Sequence, residues 1–350
     1  MTQATQPDAA AAFEAELDRQ SVNFPGLQNQ EIIHPKKHVP VTHFWRWSDL
    51  EELIVGSAEI QDVLPQGQEG AERRIVRLQN PGVDIETVTD TMSVSLQYIL
   101  PGEVARSHRH TPNAFRFFLR GNAYTTVSGE KCEMSRGDLV ITPFMEWHDH
   151  GNDSDGPAMW MDGLDYPLVR YLQSIIYEKP VDQQQQPINR SGESERRYSG
   201  VGLRPAWGVG DNPELRSLLR FPWQTTERVL SELAEAGDAS PHDDVILEFV
   251  NPATGGSVFN TIACCIQLIR PGVRTDAHRH TGQAVYHVFE GEGETVIDGT
   301  THSWSKGDFF VLPHLVAHQH ANTSKEPAIL FSIQDYPTLK ALGLYREESV

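Results

Sequence analysis

Apolar residues in this chain fall into short, β-branched runs rather than at the three-to-four spacing of helices. SVSLQYILPG at 93–102, DLVITP at 138–143 and DFFVLP at 308–313 are strand-sized and bounded by Gly, Pro and Asn. The dipeptides Gly121-Asn122 and Asp298-Gly299 read as hairpin turns. Helical spacing is confined to the N-terminal segment, read as a helix and an arm, and to a stretch from about Thr226 to Ala236. Trp45, Arg46 and Trp47 are placed to anchor the arm. Many short strands joined by tight turns predict an all-β fold of sandwiches or barrels.

The runs also repeat. ILPGEVARSHRHT at 99–111 answers IRPGVRTDAHRHT at 269–281, and GDLVITPFMEWHDHGN from Gly137 answers GDFFVLPHLVAHQHAN from Gly307. Asp165-Tyr166-Pro167 returns as Asp335-Tyr336-Pro337. One offset holds throughout, since 278 less 108, 318 less 148 and 335 less 165 are all 170. A repeat of this length predicts one architecture made twice. The organisation expected is a helix and arm over 1–60, a first barrel over 61–167, a linker with a helix over 168–240 and a second barrel over 241–350. Within the linker, QQQQ at 183–186 and NRSGESERR at 189–197 read as loop.

Composition narrows the function. A formal charge of −19 argues against nucleic acid, whose backbone demands a basic surface. No apolar run reaches membrane-spanning length, and the N-terminus lacks the basic start and apolar middle of a secretory signal. Cys132, Cys264 and Cys265 form no disulfide framework and suit a reducing cytoplasm. An anionic substrate would need a few local arginines to overcome the overall field.

The histidines carry the chemistry. His108 and His110 alternate on a strand, so both point to one face, and His148 follows 40 residues after His108 (148 less 108). His278, His280 and His318 keep the same separation. One His-x-His pair reads as packing; two pairs, each with a third His at matched distance, read as metal. Three neutral imidazoles suit divalent iron, manganese, copper, nickel or zinc and leave coordination positions open.

These residues resemble the cupin signature of Gly, five residues, His-x-His, then Gly, five residues, Pro and a final His. Gly102, His108, His110, Gly121, Gly137, Pro143, His148 and Asn152 match it, as do Gly272, His278, His280, Gly291, Gly307, Pro313, His318 and Asn322. The usual Gly two after the Pro is Met145 and Leu315, and the usual glutamate ligand falls at Ala114 and Ala284. With HFWRW, RFFLRG, WHDHGN and LRFPWQTT, this three-histidine form resembles the gentisate/salicylate/1-hydroxy-2-naphthoate 1,2-dioxygenases. The resemblance implies two jelly-roll barrels (a bicupin) with mononuclear Fe(II) on His108, His110 and His148. It implies dioxygen as co-substrate and an aromatic hydroxy-carboxylate opened between its carboxyl- and hydroxyl-bearing carbons to a 2-oxo acid. The second triad is a possible second metal site, and self-association into a homo-oligomer is expected.

The repeat is also an internal control. Arg116 stands where the second copy has Tyr286, Asp162 where it has Ser332, and Arg74 where it has Val245. Arg74 and Arg116 are therefore expected to face into the first barrel and grip a carboxylate, with Arg73 a rival for the Arg74 role. An internal Arg116–Asp162 ion pair is the structural alternative. The resemblance further places Gln97, Arg116, His150 and Asp162 around the substrate. Gln97 would bind the hydroxyl or bound oxygen, His150 would move or stabilise a proton, and Asp162 would orient its neighbours. Ser93, where relatives often carry an aromatic residue, and Ser95 would make room for a ring substituent, as in 5-nitrosalicylate. A non-catalytic ligand-binding bicupin and a different cupin metalloenzyme are the competing readings.

Overall fold

Two barrels fold from the two repeats, each a pair of facing, antiparallel-dominated sheets. The computed structural model describes residues 6–21, 39–60, 74–180, 184–198, 200, 203 and 217–350. In the first barrel one sheet runs, in spatial order, Arg220–Phe221, Leu139–Thr142, Ala114–Arg120, Ala158–Leu164, Ser93–Ile99 and Ile75–Arg77. The facing sheet is built around Val104–His110, His148–Gly151, Asn122–Val127 and Glu130–Ser135. The second barrel repeats this with Phe309–Leu312, Ala284–Glu290, Ala328–Gln334 and Ala263–Ile269 against Thr300–Ser305, Glu292–Ile297, His318–Ala321 and His278–His280. The N-terminal segment, with its helix Gln6–Arg19, is a unit of its own.

Alternation decides what each sheet face buries. In the first barrel Gln97, Arg116, Phe118, Thr142, Trp160 and Asp162 share the inward face. Phe115, Phe117, Met159 and Met161 point outward, yet are fully buried, because the outer faces of the two barrels pack together. There Phe117 stacks on Phe331 at 4.0 Å between ring centres, and Phe289 closes edge-on at 5.1 Å. Both faces of these strands are thus removed from water, which explains their near-continuous apolar text.

The two repeats exchange arms. His43–Trp45 precedes the first barrel but pairs with Phe309–Leu312 of the second, and Arg220–Phe221 precedes the second but pairs with Leu139–Thr142 of the first. Each arm is fastened in the same way. Asp308 receives the Arg46 guanidinium and the Trp47 backbone N–H, while Asp138 receives Arg220 and the N–H of Trp223. The helices Trp47–Gly56 and Trp223–Ala236 follow. The former was not foreseen, and the latter begins three residues before Thr226. The repeated Asp-Tyr-Pro phrase fastens the seam too: Thr261 donates to Asp165 at 2.5 Å and Thr91 to Asp335 at 2.7 Å.

Three local expectations change. Asp298-Gly299 is a hairpin turn, with φ of +45° and +80°, and its counterpart is Ser128-Gly129. Gly121-Asn122 is instead a corner where the chain passes from one sheet to the other, and a Cβ at Gly121 would strike the Pro157 backbone. NRSGESERR, read as loop, forms the strand Arg190–Ser191 and the helix Glu193–Tyr198. The segment treated as linker also extends the first barrel with Tyr177–Glu178, Arg190–Ser191 and Arg220–Phe221. Finally, Met145 and Leu315, at the missing signature glycines, both take φ of +58°. The turn keeps the left-handed geometry that glycine normally serves, and their N–H groups donate to the carbonyls of His110 and His280.

Candidate functional site

His108 and His110 lie on the strand Val104–His110, and His148 opens the neighbouring strand opposite His108. Their ring centres are 4.2 to 5.5 Å apart and their ligand nitrogens lie within 4.8 Å of one another. Each Nδ1 meets a backbone carbonyl: Arg106 for His108 at 3.0 Å, Pro112 for His110 at 2.7 Å and Glu146 for His148 at 3.0 Å. A carbonyl can only accept, so each Nδ1 carries the proton and each Nε2 offers a lone pair. The Nε2 of His148 is buried with no hydrogen-bond partner. Burial, together with the neighbouring imidazoles and Arg116, pushes His148 well below its ordinary pKa and keeps it neutral. The donor set therefore fits a divalent metal.

Above the triad runs a buried polar relay. The Gln97 amide donates to one oxygen of Asp162, the Arg116 Nε lies 3.3 Å from the other, and Arg116 Nη1 donates to Thr142 at 2.7 Å. All four residues are buried. The internal ion pair between Arg116 and Asp162, the structural alternative to a carboxylate clamp, is therefore present. His150 holds Thr125 Oγ1 at its Nδ1 at 2.8 Å. Ser93 and Ser95 are half-buried on the same sheet face as Gln97, nearer the barrel rim. Ala114, where a glutamate ligand would project, faces inward and is buried.

Arg74 is not part of this chamber. It is buried, as its alternation suggested, but on the outward face, where both Nη atoms grip Glu103 at 2.5 and 2.8 Å. At the same corner of the second barrel the signs are exchanged: Asp244 receives Arg270. Arg73 lies outside the described residues.

Several contributors escaped the sequence reading. Thr142 holds Arg116, Thr125 tethers His150, Tyr177 stacks on His108 at 5.4 Å, and Trp160 faces inward with its indole N–H buried and without a partner. Offset pairing carries the missed signal, since Thr142 answers Leu312, Trp160 answers Leu330 and Tyr177 answers Glu347.

Comparison with known proteins bears on this chamber. The Cupin domain family matches residues 95–164 and 265–334. The 5-aminosalicylate 1,2-dioxygenase of Comamonas sp is 36% identical over 310 residues, covering 87% of this chain and 80% of that protein. The 1-hydroxy-2-naphthoate 1,2-dioxygenase of Nocardioides sp. (strain KP7) is 34% identical, covering 88% and 79%. Among solved structures, a mutant salicylate 1,2-dioxygenase from Pseudoaminobacter salicylatoxidans in complex with gentisate superposes with a TM-score of 0.85 at 34% identity, covering 100% of this chain and 98% of that one.

Proposed function

This chain belongs to the bicupin family of gentisate, salicylate and 1-hydroxy-2-naphthoate 1,2-dioxygenases, and from that premise we propose that it opens an ortho-hydroxybenzoate ring in its first barrel. The cleaved bond joins the carboxyl- and hydroxyl-bearing carbons, and the product is a 2-oxo acid. The observation that carries the assignment is the relay Gln97–Asp162–Arg116–Thr142 beside one triad, against Gln267, Ser332, Tyr286 and Leu312 beside the other.

His108, His110 and His148 would hold a ferrous ion, which supplies the redox chemistry with dioxygen that side chains lack. Arg116, braced by Asp162 and Thr142, binds the substrate carboxylate through planar paired donors. Because the Gln97 amide nitrogen is committed to Asp162, its carbonyl oxygen is the atom left to accept a hydrogen bond from the ring hydroxyl. His150, anchored at Nδ1 by Thr125, holds or returns a proton through Nε2. Trp160, stacked on Phe118 at 5.9 Å, gives the ring an apolar wall and keeps water from it. Small Ser93 and Ser95 fit a substituent at ring position 5, so salicylate, gentisate and 5-substituted salicylates form the substrate panel. The first barrel is the catalytic one in this reading. The three unbridged cysteines agree with a cytoplasmic enzyme, and the exposed Tyr171, Leu172 and Ile176 agree with a homo-oligomer.

Oxygen consumption by iron-loaded protein across that panel, followed with the absorbance of the ring-opened product, tests the assignment. No uptake with any member defeats it. Ser93→Phe should penalise 5-substituted salicylates more than salicylate; equal losses refute the role of Ser93.

A further inference from the structure

The second barrel carries a histidine cluster that the reaction above leaves unused. His278, His280 and His318 are buried, with ring centres 4.3 to 5.6 Å apart and ligand nitrogens within 4.8 Å. The Nε2 atoms of His278 and His318 have no hydrogen-bond partner. Backbone carbonyls of Gly282 and Val316 hold Nδ1 of His280 and His318 at 2.9 and 3.1 Å, as in the first barrel.

His278 departs from that pattern. Its Nδ1 lies 3.0 Å from Oε1 of Glu347, on the C-terminal strand Glu347–Ser349, and Tyr345 donates to the other carboxylate oxygen at 2.9 Å. The carbonyl that would otherwise serve His278, that of Asp276, is taken by His242, whose ring lies flat on His278 at 4.7 Å. A carboxylate behind a ligand imidazole fixes its tautomer and raises its basicity.

We propose that the second triad is a divalent-metal site built to retain its ion while refusing a hydroxybenzoate, with Glu347 as the latch. Charge separates the two chambers. In the first, all three Nδ1 atoms meet neutral backbone carbonyls, so the ion's two positive charges remain for an anionic ligand. In the second no arginine faces inward among the described positions equivalent to the relay, and Glu347 already offsets part of the charge. Space separates them as well. Tyr286 stands for Arg116 and stacks on Phe310 at 4.8 Å, and Gln267 turns away to the Asp243 carbonyl at 2.7 Å. Three imidazoles suit Fe(II), Mn(II), Co(II) or Zn(II), with water completing the coordination.

Full-length protein stripped of metal, loaded anaerobically with Co(II) and desalted should carry two ions per chain. His108→Ala/His110→Ala and His278→Ala/His280→Ala should each carry one; if the latter does not fold, the former still decides. In the His108→Ala/His110→Ala protein, saturating salicylate or gentisate should leave the Co(II) spectrum unmoved. In that same background Glu347→Ala should speed loss of the ion to excess chelator by about tenfold or more. One ion per wild-type chain with none in His108→Ala/His110→Ala overturns the proposal. So does a second-site spectrum that moves with hydroxybenzoate, or an unchanged rate of loss in Glu347→Ala. A first-site spectrum that ignores every hydroxybenzoate would instead defeat the reaction proposed above and leave the metal count standing.

Discussion

Thr142 shows how one hydroxyl can set the affinity of a distant charge. It holds Arg116 at 2.7 Å, and both side chains are buried. Thr142→Val keeps the shape and removes the bond, which for a charged donor is worth about 1.5–3 kcal/mol. We expect KM for a hydroxybenzoate to rise about tenfold or more while metal content stays unchanged; steady-state kinetics with metal analysis checks both. Leu315 makes the opposite case. Its left-handed backbone costs roughly 1–2 kcal/mol. Glycine would relieve that strain but free the unfolded chain, so the two effects nearly cancel. Leu315→Gly should therefore leave urea-unfolding stability within about 1 kcal/mol. His287 is buried between the barrels beside Phe309 and Phe117, and burial pushes its pKa to about 3, from 6.5. Between those values the unfolded chain binds a proton that the folded chain refuses. Its stability is thus complete above pH 6.5 and falls on acidification by up to about 1.4 kcal/mol per pH unit. His287→Phe, the residue its counterpart Phe117 already is, should flatten the pH dependence of urea unfolding between about pH 6 and 4.5 by that amount (~1.4 kcal/mol per unit).

At the level of strands and turns, glycine and aspartate do the fastening. Gly137 and Gly307 take φ of +87° and +95°, and a Cβ on either would meet an indole, of Trp223 or Trp47. Gly137→Ala or Gly307→Ala should each cost about 2–4 kcal/mol in urea unfolding, well above an ordinary surface change. This scale also explains what could be read beforehand. The triads were legible because His-x-His alternation and a constant offset are properties of the text itself. Arg74 was misread because alternation reports which residues share a face, while both faces of these sheets are buried. Sequence therefore could not say whether that face looked at the metal or at the neighbouring barrel. Arm exchange was equally hidden, since HFWRW and LRFPW look alike whichever barrel they join. Glu347 escaped because its signal lies in strand pairing at the far end of the chain.

For the molecule as a whole, the reciprocal arms mean that neither barrel is completed by its own repeat. A chain cut between Tyr198 and Ser217 should give two fragments that each lack a cooperative thermal transition and regain one on mixing. Circular dichroism and size-exclusion chromatography check this. Independent melting of either fragment would show that the arms are decoration.

Two free-standing proteins, each with one barrel and one arm, could satisfy the same pairings only by embracing, and dilution would part them. Here the embrace is closed within a single polypeptide. The two histidine chambers consequently keep their spacing at any protein concentration, and loss of order in one arm is felt first in the chamber that belongs to the other half.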